Sequence, residues 1–127
     1  MNDDMTGPER RKGAYLGTEV DRSWWRRFRK DGFFMRGSGV WWLDAEGLYF
    51  LRTLTKEPLF IPFSEMRGLR EGTWHAGKWL AGTPVVKLDW ERNGQNLCAG
   101  FVVSRGAAET QVFRDALEKG MAAAKTG

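Results

Sequence analysis

With one cysteine and one histidine, the chain cannot build an internal disulfide framework, a His-rich zinc site or a catalytic pair of imidazoles. No metal and no cofactor are expected. Cys98 lies in a strand-like context, where a lone cysteine serves most often as a small buried hydrophobe. A nucleophilic pairing of Cys98 with His75 has no local motif behind it. Long apolar runs are also missing, so no transmembrane helix is expected. The opening MNDDMTGPERRKGAY carries no apolar stretch behind its charges, which argues against a signal peptide and makes the cytoplasm the expected compartment. G-x-S-x-G, G-x-G-x-x-G, Walker and H-E-x-x-H patterns are absent. Asp44 and Glu46 share a turn, which turn propensity explains before acid–base chemistry does. An enzyme is not expected.

Aromatic residues and positive charge are what the chain has in excess. Seven tryptophans stand among 127 residues, and the formal net charge is +4. That charge is unevenly placed. Between Asp21 and Arg36 lie six of the 20 basic residues (Arg22, Arg26, Arg27, Arg29, Lys30 and Arg36) and two of the 16 acidic ones, leaving 14 of each elsewhere. The whole excess belongs to one segment, so any electrostatic partner should meet the chain there.

The hydrophobic pattern predicts a mainly β, α+β domain. Residues 1–16 mix charges, Gly and Pro and read as a flexible tail, with one domain over 17–127. Val20, Trp24 and Phe28 fall at i, i+4 and i+8 behind Thr18, predicting a short amphipathic helix from Glu19 to about Lys30. About seven short strands should follow, over Phe33–Arg36, Val40–Asp44, Leu48–Leu54, Leu59–Phe63, Gly68–Trp74, Pro84–Arg92 and Gln95–Ser104. Pro58 and Pro62 place the fourth at an edge, or put Pro62 at its end or at a bulge. Asn93-Gly94 between the last two is a strong hairpin turn because both residues tolerate positive φ. Val112, Phe113, Ala116, Leu117 and Met121 then form the apolar stripe of a closing helix, Ala107 to Ala124.

The strand order, the phrase Leu59-Phe60-Ile61-Pro62-Phe63-Ser64-Glu65-Met66, the long final hairpin and the terminal helix together resemble the pleckstrin-homology (PH) superfold in its GRAM and bacterial PH-like versions. The resemblance implies a seven-stranded barrel capped by the C-terminal helix, here with an added N-terminal helix. It also implies recognition of lipid, peptide or protein. Gly37-Ser38-Gly39 is too short and too poor in Lys and Arg for the phosphoinositide-binding pattern.

Two candidate surfaces follow. Trp24 and Trp25, with Arg22, Arg26 and Arg29, would give a basic aromatic helix that either docks on the barrel or meets an acidic partner or anionic membrane. Trp74, His75, Lys78 and Trp79 lie in a Gly-rich connection able to close over a ligand or simply to be pinned to the barrel. Trp90 and one of Trp41 and Trp42 should face the core. The expected function is non-catalytic recognition of a protein partner, or self-association, through these two surfaces. Peripheral binding to anionic lipid is the alternative, an unrecognised enzyme is third, and nucleic acid is disfavoured for want of a binding motif.

Overall fold

A computed structural model describes residues 9–21, 23–33, 35–75, 78–79, 82–104 and 106–126. Among the described residues ten strands precede one α-helix: β1 (Arg11–Val20), β2 (Ser23–Arg27), β3 (Gly37–Leu43), β4 (Gly47–Arg52), β5 (Leu59–Pro62), β6 (Met66–Gly72), β7 (Trp74–His75), β8 (Lys78–Trp79), β9 (Val85–Arg92), β10 (Gln95–Val102) and α1 (Ala107–Thr126). Eight form one antiparallel sheet in the order β5-β4-β3-β1-β10-β9-β6, with β2 paired to β1, while β7 and β8 make a separate hairpin.

The sheet winds around one core and stays open between β5 and β6. The closed barrel expected from the resemblance is therefore corrected to an open sheet. Pro62 ends β5, and the tight turn Phe63–Glu65 leads directly into β6, so the two strands never align for pairing. Helix α1 packs over that turn and β6. Phe113 and Leu117 are wholly buried, and the Phe113 ring meets Trp41 edge-on at 4.7 Å between centroids. Val112, read as part of the same stripe, lies on the open flank at 46% exposure. Arg92 spans the seam: its guanidinium donates to Glu65 at 2.7 Å, to Asp31 at 2.9 Å and to the Phe60 carbonyl at 3.2 Å. Among the described residues, no helix is long and apolar enough to cross a membrane.

The N-terminal helix is not present. Residues 19–20 end β1 and residues 23–27 are β2, with Asp21 after β1 at φ of +53°. Positions 20, 24 and 28 are a helical i, i+4, i+8 series, but they also share one parity, so the same apolar residues fit a period of two. Trp, Phe and Val favour the extended form. Val20 and Phe28 are buried as predicted, from two segments of a hairpin rather than one helix face. Thr18, read as an N-cap, is a buried strand residue whose hydroxyl donates to the Tyr15 oxygen at 2.6 Å, while the Tyr15 hydroxyl donates to the Phe33 carbonyl at 2.6 Å. Burial pushes the Tyr15 phenol well above its usual value.

Two further boundaries change. Residues 11–16, read as tail, belong to β1: residues 11–15 pair with β3, and Ala14 and Tyr15 pair with β10 as well. Of the strand expected at Phe33–Arg36, Phe34 lies outside the described residues and Phe33, Met35 and Arg36 are in no strand, following a turn at Lys30–Gly32, while Gly37-Ser38-Gly39, read as a break, opens β3. Other expectations hold. Asn93 and Gly94 both have positive φ in the β9–β10 turn, β5 is an edge, Trp90 and Trp41 face the core, and Trp42 points outward to stack on Tyr49 at 5.3 Å.

Helix docking predicts a contrast within one apolar stripe. Leu117→Ala should cost about 2–5 kcal/mol, as large-to-small core changes do. Val112→Ala should cost less than about 0.5 kcal/mol. Chemical denaturation of both variants checks this; equal losses would mean that α1 seats on a different face.

Candidate functional site

The basic residues gather on the β1–β2 hairpin and the turn after it. Trp25 is 66% exposed. Arg26, exposed beside it, reaches Asp21 at 3.3 Å, and Arg29 and Lys30 continue the basic surface into the turn. Together with Gln95 these residues line a shallow depression of about 430 Å³. Arg27 turns inward: a side chain at Gly17 would meet its guanidinium at 3.0 Å. Burial first, then repulsion from Arg36 and Arg29, holds the Arg27 guanidinium below its ordinary value, so these cations crowd one another. Trp24 lies in β2 by its backbone, and Arg22 lies outside the described residues.

The Gly-rich connection is not an open loop. Its backbone forms the β7–β8 hairpin, pairing Trp74 with Trp79 and His75 with Lys78. His75, expected at a binding surface, is completely buried. Its ring lies against the outer face of the sheet, in space that Gly100 leaves open. Its Nε2 donates to the Gly17 carbonyl at 2.9 Å, and a Cβ at Gly100 would collide with the ring. Gly17 has φ of +111° just after the β1 bulge, a conformation that glycine adopts without strain.

Around His75 the outer face carries a polar cluster that sequence reasoning did not assemble. Glu19 pairs with Cys98 across β1–β10, and Cys98 pairs with Asp89 across β10–β9. By period-two geometry all three side chains leave the same face. Arg70 from β6 grips Asp89 with two hydrogen bonds of 2.8 and 2.9 Å and donates a third to Cys98 Sγ at 3.3 Å. Its bond to Asp89 raises the Arg70 guanidinium above its ordinary value. Glu19 Oε2 stands 3.8 Å from His75 Nδ1. The donor atoms of Glu19, His75 and Cys98 lie within 4.8 Å of one another, and all three residues are buried.

Burial, reinforced by Asp89, pushes the Cys98 thiol up to about 12, so at neutral pH it is protonated and a poor nucleophile. Burial likewise lowers the His75 imidazole below 6.5, against the pull of Glu19. A neutral ring whose Nε2–H is committed to a carbonyl carries its lone pair on Nδ1. The signal for the cluster was present in β10: Leu97, Ala99 and Phe101 face inward, so Cys98 must face outward, with Gly100 as a gap beside it. Nothing in the sequence said that residue 75 would fill that gap.

The arrangement predicts a single tautomer. Long-range proton–nitrogen spectra at neutral pH should show His75 protonated at Nε2 and bare at Nδ1. Gly100→Ala should displace the ring, change that pattern and cost about 1–3 kcal/mol, as overpacking does. A wild-type spectrum of the opposite tautomer would refute this placement.

No curated protein matches the chain. A family model described as Bacterial PH domain-like matches residues 2–117, which takes in every strand and the first half of α1. By that match, and by an antiparallel sheet stoppered with a C-terminal helix, the chain belongs to the bacterial PH domain-like family.

Proposed function

We propose that this chain is a non-catalytic binding module that takes an acidic protein segment on its β1–β2 hairpin. PH-like domains are, as a class, binding modules, and fold alone does not choose their ligand. The observation that carries the choice is Trp25, a large aromatic at 66% exposure on a hairpin where Arg26, Arg29 and Lys30 are also exposed. An aromatic anchor ringed by cations is the composition of an interface centre with electrostatic steering. The β7–β8 hairpin, expected to share this work, buries its histidine against the sheet. A cytoplasmic setting forms part of the same proposal.

The test compares wild type with the Trp25→Ala, Arg26→Ala double variant. Partners captured from native lysate are identified, and the affinity of the leading one is measured with purified components at two salt concentrations. The double variant should weaken binding at least tenfold, about 1.4 kcal/mol or more. Raised salt should weaken wild-type binding as well. Equal affinities would move the surface elsewhere. Pelleting of wild type with vesicles of anionic phospholipid at low salt, lost at high salt and in the variant, would replace protein by membrane as the ligand. Light scattering that shows a dimer broken by Trp25→Ala would make the partner a second copy.

A further inference from the structure

We propose that Glu19, His75 and Cys98 form a binding site for one transition-metal ion of the zinc class, held between the outer face of the sheet and the β7–β8 hairpin. Three observations lead there independently of the basic hairpin.

The donor set is the first. A carboxylate, an imidazole and a thiol, buried together with donor atoms within 4.8 Å of one another, match the oxygen, nitrogen and sulfur ligands that zinc accepts. With metal–ligand bonds of about 2.0–2.3 Å, a tetrahedral ion needs its donors roughly 3.3–3.6 Å apart. The 3.8 Å from His75 Nδ1 to Glu19 Oε2 is already close to that. A side-chain adjustment of about an ångström completes the set, which rotation about χ angles can supply.

The second is the orientation of His75. Its Nε2 is used on the Gly17 carbonyl, while Nδ1, fully buried, makes no hydrogen bond and faces the Glu19 carboxylate. A buried ring nitrogen left without a hydrogen bond is costly, and an ion at that atom would satisfy it. A histidine that gives one N–H to a backbone carbonyl and aims its other nitrogen at further donors has the second-sphere geometry of a metal ligand.

The third is charge. Bound ion, Glu19 carboxylate and Cys98 thiolate sum to zero, and Arg70 with Asp89 forms a neutral pair beside them. Metal binding would release the thiol proton to solvent. The Arg70 N–H now directed at Cys98 Sγ would then donate to a thiolate, a stronger bond than to a thiol. A depression of about 450 Å³, bordered by Asp21, Arg67, Asp89, Asn96 and Cys98, lies beside the cysteine. No local Cys/His motif betrays the site, because its ligands come from β1, β7 and β10.

Metal uptake by the full chain tests the proposal. After stripping with chelator and dialysis against micromolar zinc, elemental analysis should find one ion per chain. Cobalt substitution should produce the intense visible bands of a tetrahedral ion and a near-ultraviolet sulfur-to-cobalt charge-transfer band. Cys98→Ser should abolish that band, and His75→Gln and Glu19→Gln should each weaken affinity by at least about tenfold. Near-ultraviolet circular dichroism from the tryptophans verifies folding throughout. A folded wild type that takes up no zinc, or a cobalt form without charge transfer, overturns the proposal. The chain has one cysteine, so the wild-type spectrum alone decides even where a variant fails to fold.

Discussion

The molecule depends on one strand having two neighbours. β1 pairs with β3 through residues 11–15 and with β10 through residues 14–20, so a single stretch of backbone joins the two halves of the sheet. Ala14 and Tyr15 belong to both ladders. Just beyond them the bulge at Leu16 shifts the register, and that shift decides which side chains of β1 leave by which face. Tyr15 goes to the core, where it touches Phe50 and Phe101. Glu19 goes to the outer face opposite Cys98. Moving the bulge by one residue would send Glu19 inward and dismantle the polar cluster along with the core.

The open seam is managed differently. Where β5 and β6 do not pair, apolar surface from α1 covers the gap, and Arg92 ties both sides through a carbonyl of β5 and the carboxylates of Glu65 and Asp31. Its guanidinium also lies 4.7 Å from the Trp90 ring centroid, so the clamp rests on the core it closes. Glu65 therefore acts as an anchor for a cation arriving from β9. That gives the Leu59–Met66 phrase a physical meaning: the strand ends at Pro62, the turn buries Phe63, and the acid two residues later receives the clamp.

Much of this was legible in the chain because the signals were local. Asn93-Gly94, the alternation of Val86, Leu88 and Trp90 against Leu97, Ala99 and Phe101, and the stripe of α1 each speak within a few residues. The misread helix shows where that logic ends: apolar residues spaced by four satisfy both a helix and a strand, and only the pairing of β2 with distant backbone selects between them. Sheet closure was illegible for a related reason, since it turns on whether two strands flanking a tight turn can align. The outer-face cluster was beyond reach altogether. Residues 19, 70, 75, 89 and 98 gain their meaning from register, and register is a property of the assembled sheet.

The seat of His75 binds two distant positions into one unit. The imidazole occupies volume that a side chain at residue 100 would otherwise claim, so strand and hairpin share a single parcel of space. Among related chains, a bulkier residue at one of these positions must be answered by a smaller one at the other. Such paired exchange would register in an alignment as covariation between the sheet and the hairpin that covers it.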